Sequence, residues 1–469
     1  MDDCFGVSEA GSTVRTEVLA GVVTFFTMSY IVFVQPAVLS GAMFGMETGM
    51  DFGALTTATC LSAALATALM GWLARYPIAL APGMGQNFFF VFSAIPAAAA
   101  MGHDAPWKVG LGVIFVSGVL FLLLSLIGVR ERLLNAVSPS MKAGIGVGIG
   151  LFIAFIGLRN AGVVLIDPGT AVKLNAKLGS PDSLVFFIGL LTAAGFCARG
   201  VRGAILWGML VSTATAAVLK PLLPLIPESW DSRTGASASM LAERFQFADS
   251  VMSAPPSLTP VLFQMDLAAA CSAAMLPFVL AFLFMDMFDT MGTLIGVGER
   301  AGLIRDGKLP RANRAMTADA VGTVAGAVMG TSTVTSYIES AAGVEQGGRT
   351  GMTALVVAGL FLLTPFFSPV IAMVGSYPPI TAPALVIVGA MMMRGVGKID
   401  WSDHTESIPT FLIIVGIPFA FSIGDGLALG FIAYPIVKAL GGRARELSWA
   451  SVALSAALIL YFVLVRSRM

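Results

Sequence analysis

The chain has 469 residues, 57% of them hydrophobic and 12% charged, and its mean hydropathy is +0.88. A soluble domain carries about 25% charged residues, so the composition argues for a membrane-spanning protein, and the balance of 27 basic against 27 acidic residues points to no nucleic-acid partner. Two histidines and four scattered cysteines, Cys4, Cys60, Cys197 and Cys271, give neither metal-ligand spacing nor a disulfide framework, so no metal and no cofactor is expected.

The N-terminal stretch MDDCFGVSEAGSTVR lacks the basic start of a signal peptide, so the first span is expected to remain as an anchor. In chain order, apolar runs bounded by charges and Gly/Pro breaks predict spans near 17–41, 52–74, 83–101, 107–128, 142–164, 183–199 and 203–226. A second series falls near 268–297, 314–330, 334–348, 351–375, 380–396, 408–424 and 425–440, each read against the roughly 20 apolar residues a spanning helix needs. A further apolar run, 448–465, lies outside this series. With the N-terminus inside, Arg75, Arg130, Arg132, Arg199, Arg202, Arg349, Arg394, Lys398, Arg443, Arg445 and the cluster at 300–314 all fall on the cytoplasmic side. That is the asymmetry the positive-inside rule requires, and it implies a multi-pass protein of the cell inner membrane.

Segments of the two halves match in the same order. ATALMG (66–71) resembles AGAVMG (325–330), VSGVLFLL (116–123) resembles VAGLFLL (357–363), and AVSPSMKAGIGVGIG (136–150) corresponds to SYPPITAPALVIVGA (376–390). Seven spans per half would bring the second half in from the opposite side, the inverted-repeat architecture of secondary transporters. The expected fold is therefore all-α integral membrane, a 7+7 inverted repeat with about 14 transmembrane spans. The first repeat is 1–226, the extracytoplasmic linker 227–262, the second repeat 263–440, and the C-terminal apolar segment and tail 441–469.

Such folds place their sites at interrupted spans in matching positions. YPIALAPGMGQNFFF (76–90) carries Pro77, Pro82, Gly83 and Gly85, which oppose a continuous helix. GTSTVTSYIESAAG (330–343) is a β-branched, hydroxyl-rich run leading into small residues. Each predicts a short extended stretch followed by a half-helix whose free N–H groups point at the membrane centre.

Ionisable side chains inside spans cost about 2.5–3.5 kcal/mol each and default to functional candidates. Asp289 and Glu339 stand out, with no lysine or arginine in their spans to pair with. Asp286 shares a helix face with Asp289 and reads equally as structural. Gln86 and Asn87 follow the first break, and Gln35 precedes Pro36. Carboxylates plus amides suit a neutral heterocycle bearing N–H donors and ring-nitrogen acceptors, and Phe88, with Phe89 and Phe90, offers a stacking ring. Ser340 completes the substrate-binding set. Asp319 and Asp425 read as exposed caps near span ends, His404 as solvated, Met391, Met392 and Met393 as core or lipid contacts, and GIGVGIG (144–150) as small-residue helix packing.

These residues carry a resemblance. APGMGQN (81–87), KAGIGVGIGLFIAFIGLRNAG (142–162), FDTMGTLIGV (288–297) and GTSTVTSYIESAAG with the following GGRTG resemble the AzgA-like purine permeases, a branch of the xanthine/uracil permease superfamily. The resemblance implies a core bundle (spans 1–4 and 8–11), a gate bundle (spans 5–7 and 12–14) and short strands in spans 3 and 10. It also implies a homodimer and uptake of adenine, guanine or hypoxanthine by proton symport, with sodium as the other coupling ion to consider. The family's acids fall on Asp289 and Glu339, which would also carry the proton, and its span 3 asparagine falls on Asn87. Gln35, Gln86 and Phe88 depart from the family pattern. The rival readings are an anion carrier of the same fold, which carboxylates at the site oppose, an ion channel, and an intramembrane enzyme, for which the spans offer no nucleophile–base pair or metal ligands.

Overall fold

A computed structural model of the chain describes residues 5–127, 138–167, 169–176, 178–225, 239–304, 309–449, 451–452, 455–456 and 458–459. Span 1 is α1 (Val14–Met28) and α2 (Tyr30–Leu39), and span 2 is α3 (Phe52–Leu69), which widens into a π turn at Met70–Ala74. The first break is β1 (Leu80–Pro82), followed by α4 (Met84–Phe89), a π turn at Phe90–Ala94 and α5 (Ile95–Ala100). Then come α6 (Pro106–Ile127), α7 (Pro139–Asn160), a hairpin of β2 (Val164–Asp167) and β3 (Ala171–Leu174), α8 (Pro181–Ala198) and α9 (Ala204–Leu222). The linker holds α10 (Met240–Arg244) and α11 (Leu267–Ala270). The second half runs α12 (Leu276–Arg300), α13 (Ala312–Met329), β4 (Val334–Ser336), α14 (Ser340–Glu345), α15 (Gly351–Leu363), α16 (Ser368–Gly375), α17 (Pro378–Met392), α18 (His404–Phe419) and α19 (Ile423–Leu440).

Ten helical spans among the described residues are long and apolar enough to cross a membrane. The other four predicted spans exist but miss that standard for physical reasons. Spans 3 and 10 are broken by strands, α13 carries Asp319, and α18 has only 16 residues, two of them proline. Many of the helix starts are set by a side-chain oxygen accepting a free backbone N–H: Thr13, Asp51, Ser138, Ser180, Thr350, Asp403 and Ser422 all do this.

Two packed groups result. α1 and α3 pack on α15, and α13 packs on α3 and α6, whereas α7 packs on α17 and α18, and α8 and α9 pack on each other and on α17. These are the core and gate bundles. Within the gate, Gly150 and Gly389 let α7 and α17 meet at backbone distance, since a Cβ on Gly389 would lie 2.4 Å from the Gly150 oxygen. Gly144 and Gly148 press on Thr410 and Ile413 of α18. Gly146 has nothing within 4 Å of an added Cβ, so the small-residue packing expected over 144–150 is corrected at that one position.

Three further corrections follow. Span 8 begins later than expected, because Asp266 caps α11 as a separate turn through Ala269 N–H at 3.0 Å. The β2–β3 hairpin was not foreseen; it closes on Asp167, whose carboxylate accepts from Gly169 and Thr170 and pairs with Lys173 at 2.5 Å. Asp319 is no exposed cap: it is fully buried in the body of α13, while Asp425 does sit in the first turn of α19. Residues 449, 451–452, 455–456 and 458–459 are helical, and 450, 453–454, 457 and 460–465 of the apolar run, with Arg130, Arg132, Arg233, Arg305, Lys308 and 226–238 of the linker, lie outside the described residues.

In the core, a Cβ on Gly351 would fall 1.9 Å from the Gly71 carbonyl oxygen, where backbone meets backbone and nothing can swing aside. Gly351→Ala is therefore expected to cost about 1–3 kcal/mol or more, read as a lower unfolding midpoint of the detergent-purified protein than for an exposed control such as Gly359→Ala.

Candidate functional site

The two breaks meet. β1 and β4 pair antiparallel, Leu80 with Ser336, Ala81 with Thr335 and Pro82 with Val334. Tyr337 N–H donates to the Ala79 oxygen and Gly83 N–H to the Thr333 oxygen, both at 2.9 Å, so the ladder is closed at each end. The outer edges are held the same way in both halves. Thr67 Oγ1 donates to the Leu80 oxygen at 2.9 Å and accepts from Leu80 N–H at 2.8 Å. Thr323 Oγ1 does so with the Val334 oxygen at 3.0 Å and its N–H at 3.1 Å. Extended backbone is tolerated at this depth only with such internal satisfaction.

α4 and α14 start directly beyond these strands and carry the candidate residues. Gln86 Nε2 donates to Asp289 Oδ2 at 2.8 Å, joining span 3 to α12. Tyr30 Oη donates to Glu339 Oε1 at 2.8 Å, joining span 1 to the start of α14. Tyr337 lies within electrostatic reach of both carboxylates and ties back to span 3 by donating to the Pro82 oxygen at 2.5 Å. Asp289 and Glu339 are only half-buried, with Gly292 and Ile338 exposed beside them. Among the described residues neither acid takes part in an ion pair. Gln86 Oε1 is buried and has no hydrogen-bond partner. The site thus presents two carboxylates and one amide oxygen with acceptor capacity to spare.

The other expected residues lie deeper. Asn87 is fully buried; its amide donates to Gln35 Oε1, and its oxygen accepts from Ser332 Oγ. Gln35 Nε2 in turn donates to Thr331 Oγ1 at 2.9 Å, closing a network that ties span 1, span 3 and the approach to β4 together. Ser340 Oγ accepts from Ala79 N–H at 3.0 Å. Phe88 packs among Phe44, Phe92 and Phe152 with ring centroids 6.1 to 6.3 Å apart. Asp286, fully buried, accepts from Thr323 Oγ1 at 2.9 Å and lies in the electrostatic field of Asp319.

Sequence reasoning missed Tyr30, Tyr337, Thr67 and Thr323. Tyr30 had a signal: a tyrosine in an apolar span needs a partner for its hydroxyl. Glu17 and Asp182 were also missed. Glu17 accepts from Arg349 and Thr350 N–H at 2.9 and 3.3 Å and from Thr353 Oγ1 at 2.5 Å, capping α15 from span 1. Thr323→Val should leave the Val334 N–H unpaired and Asp286 without its donor, about 1–3 kcal/mol for each buried group. The thermal unfolding midpoint should fall for Thr323→Val and recover for Thr323→Ser.

Known proteins agree with this architecture. The solved transmembrane domain of the cyanobacterial bicarbonate transporter BicA superposes with a TM-score of 0.59 at 13% identity, over 90% of this chain and 97% of that one. SLC26A9, whose murine form is described as an anion transporter, gives 0.60 at 10% identity, over 94% of this chain and 68% of that one. At such identities the likeness shows the shared inverted-repeat transporter fold alone. Guanine/hypoxanthine permease PbuG of Bacillus subtilis is 40% identical over 99% of this chain and its own full length. Adenine permease AdeP of Escherichia coli is 39% identical over 99% of this chain and 96% of its own. The xanthine/uracil permease profile, described as a permease family, matches residues 15–429, and with nearly full-length relatives at this identity the chain belongs to the xanthine/uracil permease family.

Proposed function

We propose that this permease imports purine nucleobases (adenine, guanine and hypoxanthine) across the inner membrane by proton symport. The observation that carries the reading is the pair Asp289 and Glu339, half-buried carboxylates with no cationic partner among the described residues, presented beside the Gln86 amide where two interrupted spans cross. A purine offers N–H donors that the carboxylates and the open Gln86 amide oxygen can accept. The names of PbuG and AdeP support this substrate class. Two carboxylates at the site oppose an anionic substrate, whatever the fold shares with bicarbonate and anion transporters.

Asp289, Glu339 and Gln86 contact the base, while Asn87, Phe88 and Ser340 hold the strands and half-helices that present them. Glu339 takes the coupling proton: it stands at the start of α14, where Tyr30 alone among the described side chains donates to it, and protonation adds a donor that a purine acceptor can use. Asp289 shares this duty. The core then carries proton and base past the gate. The carrier works as a homodimer with its N-terminus in the cytoplasm.

The test is uptake of labelled adenine, guanine, hypoxanthine, xanthine and uracil in cells lacking their own carriers, with and without a protonophore. Purine accumulation should collapse with the protonophore and persist without sodium. Glu339→Gln and Asp289→Asn should each lower purine uptake by about 100-fold, as expected for removing a charge-assisted interaction of about 3 kcal/mol. Wild-type rates in both variants would sink the assignment.

A further inference from the structure

A cavity lined by both apolar and cationic side chains lies away from the two acids. It occupies about 290 Å³ at the end of the bundle where span 1 finishes and α17 begins, between core residues Phe44 and Phe92 and gate residues Arg159, Asn160 and Phe421, under Arg244 of the linker. Its size is near the lower bound of small-molecule sites, about 300 Å³. Phe92 stands six residues beyond Gln86 on span 3, about 9 Å further along a helix, which puts the cavity on the linker side of the carboxylate site.

The cavity is built. Arg159 lies over the Phe421 ring, 5.2 Å from its centroid, which fixes the guanidinium plane against an aromatic wall. Phe421 is held edge-on by Phe92 and Phe152 at 5.1 and 5.2 Å. Arg244 reaches the core through the Ala42 oxygen at 3.3 Å and rests on Gly45, where a Cβ would come within 2.8 Å of its Nη2. Its helix is fastened to the gate by Asp182, which accepts from Ser239 Oγ, Met240 N–H and Leu241 N–H at 3.0 Å and from Tyr377 Oη at 2.6 Å. Asn160 Nδ2 is buried without a hydrogen-bond partner. Among the described residues, two guanidinium groups and one amide donor line the cavity, and no carboxylate does.

That lining is opposite in sense to the acid site. It wants a flat ring with two adjacent acceptors, which a guanidinium meets with two parallel N–H bonds. A 6-oxopurine presents O6 and N7 on one edge for this pairing, whereas adenine presents an N–H donor in place of O6. We infer that the cavity is an approach subsite that captures 6-oxopurines, guanine and hypoxanthine, ahead of the carboxylate site and favours them over adenine. The inference rests on the purine-carrier reading.

Initial uptake rates of labelled hypoxanthine and adenine decide it. Arg159→Gln and Arg244→Gln should raise KM for hypoxanthine about 10-fold, the discrimination of one bidentate contact, with KM for adenine changed less than about 2-fold and Vmax kept. Arg159→Lys, which keeps charge but loses the fork, should behave like Arg159→Gln. Should an arginine variant fail to reach the membrane, Asn160→Leu carries the same comparison. Equal effects on the two bases, no effect on either, or a loss confined to Vmax overturns the subsite while leaving the carrier intact. A wild-type chain that takes up neither base overturns the carrier reading itself.

Discussion

Leu80, Ala81 and Pro82 meet Ser336, Thr335 and Val334 in one short antiparallel ladder, and through it two spans can stop being helical in mid-membrane. An unpaired N–H or C=O in hydrocarbon costs several kcal/mol, so a single broken span could not persist alone. Each break here supplies the hydrogen bonds of the other, and Thr67 and Thr323 serve the two outer edges. The half-helices α4 and α14 therefore begin side by side, and the residues at their starts are placed by backbone pairing rather than by side-chain packing.

Four acids, Glu17, Asp182, Asp289 and Glu339, divide by how many donors each receives. Glu17 accepts from two backbone N–H groups and a threonine, and Asp182 from two backbone N–H groups, a serine and a tyrosine. Both are saturated and tie elements together: span 1 to α15 in the core, and the linker helix to the gate. Asp289 and Glu339 each receive one side-chain donor and remain half-buried. A carboxylate left with open lone pairs in a low-dielectric setting gains more from a ligand N–H than a saturated one does, which is what sets these two apart from the structural pair.

Legibility followed the same division. The interrupted spans were readable because Pro82 and Gly83 oppose a continuous helix and the run TSTVTS favours extended backbone. Asp289 and Glu339 were readable because charge within an apolar run is expensive. Asp319 was misread: its position near a span end suggested solvent, and only the packing of α13 on α3, α6 and β4 buries it. Glu17 was passed over because its donors lie more than 330 residues away. Phe88 follows Gln86 and Asn87 in sequence, and only the packing places its ring among Phe44, Phe92 and Phe152.

By itself the sequence determined the membrane class, the order and approximate bounds of the spans, where two of them break, and which acids stand in apolar surroundings. These depend on local hydropathy, backbone preference and the cost of burying charge, all of which act within about twenty residues. Only the tertiary structure decided which strand pairs with which, that Gln86 serves Asp289 while Asn87 serves Gln35 and Ser332, and that Arg159 and Arg244 line one cavity. Those partnerships join residues from 52 to more than 250 positions apart. Hydrogen-bond geometry between distant segments is fixed by how the helices pack, and no local pattern encodes it.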